Sequence, residues 1–131
     1  MVFRDECNRW YAAALKRGFR HVFCLIDDGR YWVLVDGLMG VPIVTAAAPS
    51  DYDAAGWYRE QGFAVIEMER GSEPPLGPFI AANCVGMVKV ALGIRAPFAF
   101  TPYQLYRSMR KRHGISQGNH AAGSVAAVPG R

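Results

Sequence analysis

The stretch "RHVFCLIDDGRYWVLVDGL", residues 20–38, constrains the fold most. Two runs rich in β-branched and aromatic residues flank Asp28-Gly29, the dipeptide that most favours a tight hairpin turn. With Asp28 and Gly29 as the loop, Asp27 pairs with Arg30 and His21 faces Asp36. Directly opposed residues share a face and lie about 5 Å apart at Cβ. Phe23, Leu25, Trp32 and Leu34 then share the His21–Asp36 face. Val22, Cys24, Val33 and Val35 occupy the other. Both faces are apolar, so the hairpin is expected to be covered on both sides.

Punctuation along the chain supplies the remaining elements. Asp5 to Lys16 has helical spacing at Trp10, Tyr11, Ala14 and Leu15, with Gly18 as the close. "GVPIVTAAA" is expected to be a third strand, with Pro42 near its start. "SDYDAAGWYREQG" has a short-helix pattern, capped by Ser50 or Asp51 and stopped by Gly62. "FAVIEME" follows as a strand, and "RGSEPPLGP" as a loop. "NCVGMVKVALGI" is an apolar helix from Cys84, capped by Asn83 and ended at Gly93. In "TPYQLYRSMRKRHG", Thr101 and Gln104 have capping-box spacing and Pro102 takes the first helical position. Leu105 and Met109 turn toward the core, and Tyr103 and Tyr106 are expected to pack. The expectation is one α+β domain over residues 1–114, followed by a Gly-rich extended arm over 115–131.

Charge divides the 131-residue chain unevenly. All 11 acidic residues lie between Asp5 and Glu73, against eight Lys or Arg there, a net of −3. From Pro74 onward there are seven Lys or Arg and no carboxylate side chain. This favours an anionic partner, or an acidic neighbouring subunit, for the C-terminal part; a solvated basic face is the plain alternative. The densest basic run holds Arg107, Arg110, Lys111 and Arg112, candidates for anion binding and for non-specific contact with nucleic acid. No motif for reading a base sequence surrounds it.

No run is long and apolar enough to span a membrane, and the N-terminus lacks the apolar core of a secretory signal. A start in a cytoplasm with free thiols is therefore expected. No pair among the three cysteines and three histidines has zinc-ligand spacing, so neither metal nor cofactor is expected.

Two features could carry chemistry. Asp36 bonded to one ring nitrogen of His21 would fix its tautomer and leave the other nitrogen for proton transfer. Alone, the pair is better read as a satisfied polar contact. Cys84, at the first position of its helix, faces unsatisfied N–H groups and the positive end of the helix dipole. Its own N–H could serve one side of an oxyanion hole. Alone, it is better read as a packed thiol.

Together, "RHVFCLI", Asp36 and "NCVGMVKVALGI" followed by "TPYQLYRSM" resemble the circularly permuted papain-like thiol hydrolases. This group includes NlpC-type peptidases and small members encoded by tailed bacteriophages. The resemblance covers about residues 20–112. It implies a small antiparallel sheet packed on the Cys-bearing helix. It further implies Cys84 as nucleophile, His21 as general base and acid, and Asp36 as orienter. Peptide or amide bonds, peptidoglycan among them, become the expected substrate. A place in a virion, beside other phage structural proteins, becomes the expected setting, with the fold serving as a non-catalytic tail or neck component as the alternative. No upstream glutamine completes an oxyanion hole, which leaves Asn83 as the candidate donor.

Overall fold

The computed structural model describes residues 1–6, 10–38, 41–72 and 83–113. The expected loop over 70–78 lies outside the described residues from position 73 onward, and the arm over 115–131 lies wholly outside them. The fold is mixed α+β: one five-stranded antiparallel sheet with three α-helices. The strands are β1 (Val2–Arg4), β2 (His21–Asp27), β3 (Tyr31–Leu38), β4 (Val41–Pro49) and β5 (Ala64–Val65), in the order β4-β3-β2-β1-β5. The helices are α1 (Ala54–Glu60), α2 (Cys84–Leu92) and α3 (Pro102–His113).

Alternation along the strands builds a core on each face. On one side Phe3, Val22, Cys24 and Val35 meet Val85, Val88 and Leu92 of α2 and Leu105 and Met109 of α3. On the other side Val2, Phe23 and Leu34 meet Tyr58 of α1. Burial of each large apolar side chain contributes about 1.5–3 kcal/mol. Phe3, Phe19 and Tyr106 add ring contacts, with Phe19 and Tyr106 centroids 4.5 Å apart. The hairpin is thus covered on both faces, and Cys24 is fully buried.

Several local expectations are corrected. The predicted helix over Asp5–Lys16 is replaced by a 3₁₀ turn over Trp10–Ala14, and Trp10 on its supposed apolar face is 91% exposed. Ahead of it, β1 enters the sheet interior, pairing with β2 on one side and β5 on the other. Three residues are too short to show an alternation signal, yet Val2 and Phe3 are both almost wholly buried. The strand over "FAVIEME" shortens to Ala64–Val65 because β1 offers it only two partners. The cap of α1 is Asp53, whose carboxylate accepts from the Gly56 N–H at 2.8 Å, rather than Ser50 or Asp51.

The hairpin register also differs. The observed pairs are Cys24↔Val35, Leu25↔Leu34, Ile26↔Val33 and Asp27↔Trp32. The turn tip is Gly29-Arg30, one residue further along than Asp28-Gly29. The Asp28 carboxylate explains this: it accepts from the N–H groups of Arg30 and Tyr31, so Asp28 acts as the turn's side-chain anchor. Those bonds lower the Asp28 pKa. Gly29 takes the positive φ of 91° that the tip requires. His21 and Asp36 therefore keep a common face but become diagonal rather than direct neighbours.

Both C-terminal helices are punctuated as their sequences predict. Gly93 ends α2 in the left-handed conformation, and Thr101 and Gln104 exchange the two capping-box bonds at the start of α3. The contact of α2 with the sheet is set by Gly37 of β3. A Cβ there would lie 2.9 Å from Cβ of Met87 and 3.3 Å from Cα of Cys84. The helix start can sit this close only because β3 has no side chain at that point. We predict that Gly37→Ala destabilises the fold by about 1–3 kcal/mol, through overpacking against α2. Urea unfolding checks this, and an unchanged midpoint contradicts it.

Candidate active site

His21 opens β2, and this position sets its surroundings. Its first three residues pair with β1, as Arg4↔His21, Phe3↔Val22 and Val2↔Phe23. From Cys24 onward the strand pairs with β3 instead. The β2–β3 ladder thus ends at Cys24↔Val35, short of His21 and Asp36. Alternation assigns His21, Asp36 and Arg4 to the Val2–Phe23 face, while Cys84 begins the helix on the opposite face. The imidazole lies beyond the end of that ladder.

Nε2 of His21 lies 2.7 Å from Oδ1 of Asp36. Both residues are buried, at 5% and 2% exposure, and are the buried polar or charged residues among those described. The Cys84 sulfur stands near enough to the same imidazole to favour its protonated form. With Nε2 held by Asp36, Nδ1 is the ring nitrogen left for the sulfur. Cys84 itself is half-buried and Asn83 is exposed, so the helix start is the route to solvent.

Burial alone would lower the His21 pKa, because charge is disfavoured away from water. The Asp36 carboxylate and then the Cys84 sulfur outweigh that effect and raise it from 6.5 to about 9. His21 therefore holds its proton at neutral pH.

A second cation, missed in the sequence, completes the surroundings. A guanidinium nitrogen of Arg4 lies 3.8 Å from Oδ2 of Asp36, the oxygen that His21 leaves open. Arg4 also stacks over Phe23, its Cζ 5.6 Å from the ring centroid. This residue went unnoticed because the strand that carries it is only three residues long. Gly37 had a readable sign: a glycine inside a strand marks a close backbone approach.

Asn83 caps α2 as its sequence position predicts. Its Oδ1 accepts from the Gly86 N–H at 2.9 Å. The cap uses the carbonyl oxygen and leaves the Nδ2 donors, beside Cys84, for another acceptor. The N–H groups of Cys84 and Val85 have no partner within the helix, as at any helix start. The helix start thus offers N–H donors of the kind an oxyanion requires.

The other candidates lie elsewhere. Arg107, Lys111 and Arg112 are exposed on α3, and Arg110 lies over the Tyr106 ring. They are not brought to the His21 site. Among the described residues no three His, Cys, Asp or Glu side chains cluster as a metal site. No described helix is long and apolar enough to cross a membrane.

The raised His21 pKa has a signed consequence for stability. The protonated imidazole stabilises the fold fully below about 6.5, its unfolded value. That contribution is lost as pH rises through the folded value of about 9. We predict an NMR titration of His21 with a midpoint near 9 in the native protein. Asp36→Asn should move it down toward the ordinary range, because the main opposing effect to burial is gone. A wild-type midpoint near 6.5 would contradict the burial and pairing described.

Comparison with family models, with curated proteins and with solved structures finds no match to this chain, so its chemistry rests on the residues themselves.

Proposed function

We propose that this protein is a thiol hydrolase of peptide or amide bonds, with Cys84 as nucleophile, His21 as proton carrier and Asp36 as orienter. The observation that carries the reading is His21 bonded to Asp36 through Nε2, with the Cys84 sulfur near enough to favour the charged ring. The chain order His21, Asp36, Cys84 suits a permuted papain-like arrangement.

In the reactive form His21 carries the proton and the Cys84 sulfur is the thiolate. The sulfur attacks the substrate carbonyl carbon, and the carbonyl electrons move to oxygen. The N–H of Cys84 and Nδ2 of Asn83 are the candidate donors to that oxyanion. As the C–N bond breaks, imidazolium gives its proton to the leaving amine, and a thioester to Cys84 remains. Neutral His21 then takes a proton from water, and the resulting hydroxide attacks the thioester. Acid is released and the thiolate–imidazolium pair is restored. Asp36 stabilises the imidazolium at both stages and keeps the ring in place.

Peptidoglycan stem peptides or cross-links are the substrates we favour, and a phage-encoded, virion-associated setting is the context. A second reading has its own support. β4 is an edge strand on which Val41 and Val44 are each 62% exposed, and an apolar edge of this kind suits an assembled protein. On that reading the fold is a structural part of a phage tail or neck, and the polar pair only holds the sheet together.

The readings predict different outcomes. Amine release from purified peptidoglycan or from synthetic stem peptides should fall at least about 10³-fold in Cys84→Ala and in His21→Ala. Circular dichroism should show Cys84→Ala folded. Release that persists unchanged in Cys84→Ala would overturn the hydrolase. Particles that assemble and infect normally with Cys84→Ala, together with no amine release by wild type, would establish the structural reading.

A further inference from the structure

A surface far from Cys84 combines aromatic and basic groups in a way that neither the core nor the proposed hydrolase uses. Phe98 and Phe100 are 84% and 67% exposed. They belong to the short connection between α2 and α3, and this connection is firmly tied. Nζ of Lys89 donates to the carbonyls of Ala96 and Ala99, both at 3.0 Å. Removal from water lowers the Lys89 pKa. The Ala99 N–H donates to the Ala96 carbonyl, and the Arg112 guanidinium to the Arg95 carbonyl. Two phenyl rings are therefore held out in water by a connection anchored at several points.

Phe98 forms one wall of a groove of about 370 Å³. The facing wall is α3, with Gln104, Arg107, Ser108, Lys111 and Arg112. Arg107 and Lys111 stand one helical turn apart on one face, and neither has an ion-pair partner among the described residues. Oε1 of Gln104 is spent on the N–H groups of Phe100 and Thr101, which leaves its amide donors. The groove thus offers an aromatic face, two unpaired cations a turn apart and neutral donors.

We propose that this groove binds single-stranded nucleic acid without sequence preference, with a base stacked on Phe98 and successive phosphates on Arg107 and Lys111. Exposed aromatic faces interleaved with cations are what an unpaired strand needs, since every base has a π-face and every nucleotide a charge. The segment over residues 114–131 is a poor occupant, since it carries no carboxylate side chain. A lipid surface is the less suited anion, because Phe98 lines a concave groove and does not stand on a flat face. This inference stands apart from the hydrolase reading and from its residues.

The test is fluorescence anisotropy of a labelled oligothymidylate with the full chain, over a salt titration. Binding should weaken as salt rises. Arg107→Gln with Lys111→Gln should reduce the slope of log affinity against log salt by about 1.4, for two phosphate contacts on a single strand. Phe98→Ala should weaken binding about tenfold and leave that slope unchanged. Arg17→Gln, on an exposed turn outside the groove, should change the slope by less than the paired substitution on α3. Absence of binding at low salt, or full affinity in Phe98→Ala, overturns the proposal. So does binding to phosphatidylglycerol vesicles with none to the oligonucleotide.

Discussion

The hydrogen bond between His21 and Asp36 is the interaction on which the rest of the structure depends. Both groups lie out of water, where an isolated charge is costly. Removing one partner of such a buried pair typically costs about 3–5 kcal/mol, because the other is left uncompensated. The arrangement is tolerable because each remaining valence has an outlet. Arg4 approaches the second oxygen of Asp36, and the Cys84 sulfur adds to the surroundings that favour the charged ring. What keeps the imidazole charged also gives the thiol its partner. Stability and the proposed chemistry therefore draw on the same bond.

That bond requires a particular discontinuity in the sheet. β2 pairs with β1 over its first three residues and with β3 over its last four. The change of partner leaves His21 beyond the end of the β3 ladder. A continuous ladder would place a row of backbone bonds between the histidine's face and α2. Gly37 then lets the start of α2 settle onto β3, and Asn83 and Gly93 fix where that helix begins and ends. A glycine, a cap and an interrupted ladder together set the position of one sulfur atom.

The helix boundaries were legible in the sequence because caps are local: Asn83, Gly93, Thr101 and Gln104 act within a few residues of themselves. Membership of a common face was legible too, since alternation survives a change of register by two. The register itself was not. Asp28 could serve either as a tip residue or as the side-chain anchor of the tip, and only the three-dimensional turn decides. β1 was invisible for a different reason. Its strand character comes from being placed between β2 and β5, not from any pattern in "VFR". With it went Arg4, the cation beside Asp36. The apparent helix over Asp5–Lys16 had the spacing of a buried face but no surface left to bury it against, since α2 and α3 already cover that side of the sheet.

The central claim is that His21 activates the Cys84 sulfur, and alkylation tests it most directly. Native protein treated with iodoacetamide near neutral pH, with the modified peptides identified by mass spectrometry, should carry the label on Cys84 well before the buried Cys24. His21→Gln, with its fold confirmed by circular dichroism, should slow the Cys84 reaction at least about tenfold. Labelling of Cys84 at the same rate with and without His21 would contradict the account.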